Sequence, residues 1–338
     1  MKFRQLIPHL IALIFCACLP MTLVISAVVD NSTSGRIAEL RDYFFPGTTD
    51  LPVLSHESLR WDLLKIKAPD AWPLVSGGED VLIAVLDTGI DDTAPALTGK
   101  IASRVNFTNS QDYDQRGHGT FIAGIIAAAA ENPAFPGVAY NARLLDVKVA
   151  EDDGSTDARK VANGVLWAAD HGADVINISV VIDNQYPLLE RAVDYAWKKG
   201  CVIVAAAGNG ASRKPVYPAA YANVIAVAAS DKNDSLTSWS NWGDWVDVVA
   251  PGVDIYSTLP GKQYGFKNGS SFSAALVSGE AALLFTRTIA VDNDALINDE
   301  ICNNIFNNCN VIKGMENPGK IINVYEAAKA AELNQEIQ

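Results

Sequence analysis

VLIAVLDTG (residues 81–89) is an unbroken aliphatic run that closes on a carboxylate and a glycine. A run that is continuous rather than alternating is expected of a strand buried on both faces. Four further segments repeat the pattern: LLDVKV (144–149), DVINI (174–178), CVIVAA (201–206) and NVIAVAA (223–229). Helical patterns stand between them at about 118–130, 157–171 and 186–199, and Gly172 and Gly200 fall where helix C-termini are expected. Strand, helix, strand in succession predicts a parallel sheet with right-handed crossovers. After Gly269 an Ala- and Leu-rich helical stretch runs to about Phe285, and shorter helices are expected near 295–306 and 323–333. No linker after residue 55 is long enough to divide two domains. One α/β domain is therefore expected over 56–338, with a mostly parallel central sheet and helices on both faces.

The ends of the chain and its bulk properties narrow the setting. Lys2 and Arg4 open a mostly apolar run from Leu10 to Ala27, and Ile25-Ser26-Ala27 offers small residues for a signal peptidase. Residues 1–27 are expected to be a signal peptide, with an uncleaved membrane anchor as the alternative, and the folded part lies outside the cytoplasm in either case. Residues 28–55 read as a polar, turn-rich lead-in. A net charge of −13 argues against a nucleic-acid partner, which calls for a basic face. A membrane partner is expected only if the amino-terminal segment is retained. No heptads or association stripe appear, so a monomer is expected. Of the five cysteines, Cys16 and Cys18 lie in the targeting segment and Cys201 in an apolar run. Cys302 and Cys309 are candidates for a disulfide in an oxidising compartment.

In parallel sheets, function collects at the carboxyl ends of the strands. Asp87 closes VLIAVL at such an end, where a buried carboxylate needs a partner; a histidine, a helix cap or a metal would each serve. Asp-Thr-Gly also occurs in aspartic peptidases, but those need two copies in an all-β setting. Of four histidines, His118 alone stands at a loop-to-helix junction between two glycines, in RGHGT (116–120). In NGSSFS (268–273) a serine opens the Ala/Leu helix, where helix N–H groups favour developing negative charge. On chemistry alone Ser270, Ser271 and Ser273 remain alternatives. Asn209, in AGNG after CVIVAA, supplies an amide donor or a turn. Acid, base, nucleophile and oxyanion donor are the set that acyl transfer requires.

In order along the chain, WDLLKIKAPDAW, IAVLDTGID, GHGTFIAG, VINIS, AAAGN, VVAPGVDIYST, NGSSFSAALVSG and GKIINVYEAAKAA resemble the motifs of the subtilisin-like serine peptidases, most closely their thermitase-like bacterial branch. The resemblance runs from about Trp61 to Ala331. It implies a subtilisin-like domain, hydrolysis of polypeptide substrates, and no cofactor for the chemistry. It also implies Asp87, His118 and Ser271 as the triad, with Asn209 in the oxyanion hole. Asn177, Ile178, Ser179, Val180 and Val181, together with Ala207 and Gly208, match the substrate-binding segments.

The chain departs from the family pattern in four places. Val181 stands where a glycine usually forms a wall of the specificity pocket, so a narrowed or reshaped pocket is expected. Ala275 replaces the usual proline after the nucleophile. Pro95-Ala96-Leu97 replaces Pro-Asp-Leu and loses a carboxylate that commonly binds calcium. Asp112, Asp114 and Glu131 are the remaining candidates for a structural calcium, with a solvated acidic loop as the alternative. Finally, residues 28–60 are too few for an independently folding prodomain. Besides the endopeptidase, two readings stay open: a catalytically silent subtilisin-fold peptide binder and a peptide ligase or macrocyclase.

Overall fold

The structure, a computed structural model, describes residues 59–130, 136–287, 296–312 and 319–336. The targeting and lead-in segments (1–27 and 28–55) and Glu131 lie outside the described residues. The described residues all belong to one compact unit, Leu54–Gln338. None of their helices is long and apolar enough to cross a membrane.

Six parallel strands form the centre: β1 (Leu82–Asp87), β3 (Arg143–Lys148), β4 (Val175–Ile178), β5 (Val202–Ala206), β6 (Ile225–Ser230) and β7 (Val248–Pro251). β2 (Ile101–Asn106) joins in parallel at one edge, while β10 (Asn310–Val311) and β11 (Lys320–Ile321) finish the other. The order across the nine-stranded sheet is β10-β11-β7-β6-β5-β4-β1-β3-β2. Successive residues of the central strands alternate between two apolar layers. Ile83, Val85, Val175, Val202 and Val204 enter one layer, and Ala84, Leu86, Ile176, Ile203 and Ala205 enter the other. Both faces are therefore covered, which is why these strands read as unbroken apolar runs.

The first layer holds α3 (His118–Ala127) and α6 (Ser270–Phe285), and the second holds α4 (Ala158–Asp170) and α5 (Pro187–Lys198). Two short helices, α1 (Trp61–Lys65) and α2 (Ala68–Ala71), precede β1, and α7 (Ile297–Asn307) and α8 (Val324–Glu336) close the chain. The expected helices and central strands all form, within a few residues at their ends. Missing from the sequence reading are β2, in which Ala102, Ser103 and Arg104 are exposed, the strands β7, β10 and β11, and the antiparallel hairpin β8 (Ile255–Leu259) and β9 (Gln263–Lys267).

From β3 the chain crosses to the far side of β1 and enters β4, so the topological switch lies between β1 and β4. Ligand crevices in open α/β sheets form at this place, beyond the carboxyl ends of the strands. Asp87 ends β1 there, and Ser179 follows β4.

The candidate Cys302–Cys309 disulfide is not formed. Both are free thiols, and Cys309 Sγ instead donates to the Ile305 carbonyl at 3.1 Å, just past the end of α7. Burial pushes both thiols, and that of Cys201, up to about 12.

α6 runs through the core with every residue from Ser270 to Leu284 buried, as an apolar-all-round sequence requires. Its one charged residue, Glu280, is 1% exposed, and neither carboxylate oxygen has a hydrogen-bond partner among the described residues. Burial pushes this carboxyl from 4.5 up to about 8. The folded chain thus keeps a proton that the unfolded chain releases above its ordinary value, so this group costs stability increasingly as pH rises from about 4.5 to about 8. Glu280→Gln is expected to gain on the wild type across that window, by at most about 5 kcal/mol at its top. Urea unfolding at a series of pH values checks this; a difference that does not change with pH contradicts it.

Candidate active site

Asp87 is 1% exposed, so its carboxylate depends on local donors. Its Oδ1 accepts the Thr88 N–H at 2.7 Å and lies 2.7 Å from His118 Nδ1. An ionised carboxylate can only accept, so Nδ1 carries the proton and the Nε2 lone pair is left facing outward. The imidazole is 24% exposed, reachable from solvent yet held from behind. Its neighbours explain the glycines on each side. Gly117 has φ +74°, in the left-handed region, and a side chain there would meet Pro260 at 2.8 Å. A side chain at Gly119 would run into the Gly89 carbonyl.

The three serines at the start of α6 separate by what they bind. Ser270 is fully buried and its Oγ accepts the Gly208 N–H at 3.0 Å. Ser273 is also fully buried, its Oγ donating to the Ala250 and Pro251 carbonyls. Ser271 alone keeps a loosely held hydroxyl, 3.5 Å from the Ser179 carbonyl, and its residue is 8% exposed. The ring of Phe272, the next residue, lies 5.7 Å from the His118 ring, so the first turn of α6 packs beside the start of α3. No hydrogen bond joins Ser271 to His118 among the described residues; the Ser271 hydroxyl would have to turn from Ser179 to make one with Nε2. Such contacts often tighten only in the substrate complex.

Asn209 follows β5, exposed at the tip of its loop, with its Oδ1 accepting the Ser270 N–H at 2.9 Å. That bond fixes the amide plane and leaves Nδ2 as a free donor beside the start of α6. The loop is braced from below by Asn241, which sequence reasoning did not single out. Asn241 Nδ2 donates to the Ala207 carbonyl at 2.8 Å, and its Oδ1 accepts the N–H groups of Gly210 (2.9 Å) and Ser212 (3.0 Å). Its own N–H bonds the Gly208 carbonyl at 2.9 Å. Asn241 lies more than thirty positions downstream in a Ser/Trp-rich stretch, where no local pattern marks it.

The segment after β4 divides in two. The side chains of Asn177 and Ile178 are fully buried. Asn177 bonds Ser179 Oγ and Ser278 Oγ, and Ile178 packs beneath the sheet, so neither side chain faces outward. Val180 and Val181 reach the surface, and their main chains make no hydrogen bond to the described residues, leaving a short free strand edge. Opposite this edge are Ala207 and Gly208. Val181 Cγ2 lies 3.5 Å from where a side chain at Gly208 would begin, so the valine closes over the gap between the two segments.

The calcium expectation fails at Asp114. This carboxylate is 1% exposed and accepts four hydrogen bonds, from Thr88 Oγ1, Gly117 N, Thr120 N and Thr120 Oγ1. Donors therefore occupy the directions a cation needs. Asp112 Oδ1 accepts from Asn106 Nδ2 at 3.0 Å, and no group of three or more His, Cys, Asp or Glu with metal-site geometry occurs among the described residues. Among the described residues, Asp112 and Asp114 do not form a calcium site.

Residues 78–307, more than half of the chain, match the model of the peptidase S8, subtilase family. The chain is 47% identical over 218 residues to a thermophilic serine proteinase of Bacillus sp. (strain AK1), a match covering 63% of this chain and 54% of that one. It is 43% identical over 232 residues to thermitase of Thermoactinomyces vulgaris, covering 68% and 83% respectively. With subtilisin Savinase of Lederbergia lenta it shares 38% identity over 228 residues, covering 68% and 84%. It thus spans about half the length of the Bacillus relative and most of the other two. An α/β sheet with its switch point at β1 and β4, the order Asp, His, Ser along the chain and the family match agree: the chain belongs to the subtilase family.

Proposed function

We propose that this chain is a secreted serine endopeptidase in which Ser271 attacks the peptide carbonyl, His118 carries the proton and Asp87 orients the histidine. The observation that carries the reading is the 2.7 Å contact between His118 Nδ1 and the buried Asp87 carboxylate, taken with a serine at the start of α6 whose hydroxyl is loosely held. A substrate strand lies along Val180 and Val181 and adds main-chain hydrogen bonds at that free edge. Ser271 Oγ attacks as its proton passes to His118 Nε2, and the imidazolium is stabilised by Asp87, which keeps its negative charge. The oxyanion is held by Asn209 Nδ2 and the Ser271 N–H, at the positive end of α6. His118 then returns the proton to the leaving amine, and water releases the acyl group by the reverse route. Secretion rests on the charged start and apolar run of residues 1–27.

The test is digestion of a diverse peptide mixture by the mature protein and by Ser271→Ala, read by mass spectrometry. Cleavage by the wild type and none by the variant is expected; a folded wild type that cuts nothing would move the reading to a peptide-binding protein. Asn209→Ala is expected to lower kcat roughly 100- to 1000-fold with little change in KM. An Asn209→Ala variant as fast as the wild type would remove that residue from the oxyanion hole.

Val181 bears on residue preference. Closing the gap opposite Gly208 leaves room only for a small side chain immediately before the cut bond. Val181→Gly is expected to raise kcat/KM for Phe or Leu at that position relative to Ala by about 10- to 200-fold, the range for small differences in pocket size. An unchanged ratio would show that Val181 does not bound the pocket.

A further inference from the structure

Asp114 is buried, yet it forms no ion pair with Lys or Arg among the described residues. A charge in that position is tolerated when hydrogen bonds satisfy it, and here four do. Oδ1 accepts Thr88 Oγ1 at 2.8 Å and the Gly117 N–H at 2.7 Å. Oδ2 accepts the Thr120 N–H at 2.9 Å and Thr120 Oγ1 at 2.7 Å. The donors come from two places only. Thr88 directly follows Asp87, while Gly117 and Thr120 bracket His118.

The links close on themselves. Thr88 Oγ1, while donating to Asp114, accepts the Gly119 N–H at 3.1 Å, and Thr120 Oγ1 accepts the Asp91 N–H at 2.9 Å. On the other side of the same residue, Lys267 Nζ donates to the Gly117 carbonyl at 3.0 Å and stands over the Phe121 ring at 5.0 Å. The Gly117 backbone is thus held at its N–H by Asp114 and at its C=O by a lysine four positions before Ser271. Strand β1, helix α3 and the approach to α6 meet at this point.

We propose that Asp114 is a positioning residue: its carboxylate ties the loop that carries Asp87 to the loop that carries His118, and so sets the geometry of the Asp87–His118 pair. This rests on the serine-peptidase reading above. Asp114 touches neither substrate nor the reacting atoms and acts only through the two residues it joins. An apolar contact would hold the loops together but would not fix their angle; four charge-assisted hydrogen bonds do. Because a misplacement of about 1 Å can cost on the order of 100-fold in rate, the expected loss on breaking the tie lies in turnover rather than in substrate binding.

The test is a double-mutant cycle on the mature protein with a cleavable peptide substrate, combining Asp114→Asn with Asp87→Asn. Asp114→Asn alone replaces the acceptor facing Thr120 with a donor, and is expected to lower kcat by about 10- to 100-fold with KM within about twofold. With Asp87→Asn already in place the histidine is no longer oriented, so adding Asp114→Asn should cost less than about threefold more. An equal loss in both backgrounds, or a change in KM alone, overturns the proposal and leaves Asp114 a general stabiliser. If Asp114→Asn does not fold, Thr88→Val cuts the same tie at its Asp87 end. Its loss should likewise shrink once Asp87→Asn is present, and an equal loss in both backgrounds overturns the proposal in the same way. A folded wild type that cleaves no peptide would instead strike down the peptidase reading itself, so the two failures are distinguishable.

Discussion

A carboxylate at the buried end of β1, beside the topological switch, is the constraint on which the rest of the structure depends. Asp87 has lost water on every side, and leaving a charge so placed without a partner is strongly destabilising. Its partner comes from His118, at the start of a helix in the first core layer, so β1 and α3 are joined by chemistry as well as by packing. Ser271 reaches the same place because α6 is apolar on all sides and runs through that layer. Three groups distant in sequence therefore converge where the sheet changes direction.

Little at this place is left to chance. The Asn209 loop is bonded to the first turn of α6 through Ser270 and to Asn241 behind it. Lys267 holds the carbonyl of Gly117, just before His118, and the burial of its own ammonium lowers its affinity for the proton. Such preorganisation lets donors stabilise developing charge without reorganising during the reaction. The open side is the strand edge at Val180 and Val181, whose main chains bond none of the described residues.

Much of this was legible in the sequence, and the failures have physical causes. β1, β3, β4, β5 and β6 declared themselves because both their faces are buried, and α6 because its first residues are small and its body apolar. β2 was missed because an exposed edge strand such as IASRVN lacks the apolar run, and the β8–β9 hairpin because a pair packed outside the main sheet has no such run either. Asp87, His118 and Asn209 were singled out through punctuation by glycine at strand ends and helix starts, whereas Ser271 was separated from Ser270 and Ser273 only by the family resemblance. Asn177 and Ile178 precede the free edge in sequence, but their side chains turn inward, which the main-chain motif does not reveal. Asp114 was read as a calcium candidate because an acidic loop looks alike whether its carboxylates face cations or N–H groups. The spacing of Cys302 and Cys309 admitted a disulfide, yet one thiol lies on the inner face of α7 and the other past its end. Asn241 carried no local signal at all, since its four partners come from a loop far upstream.

The most direct measurement is to treat the mature protein with a serine-directed fluorophosphonate and map the adduct by peptide mass spectrometry. A single adduct on Ser271 is the predicted result, since only an activated hydroxyl beside an oriented imidazole reacts readily. An adduct on Ser270 or Ser273, or none on a folded protein, would contradict the account.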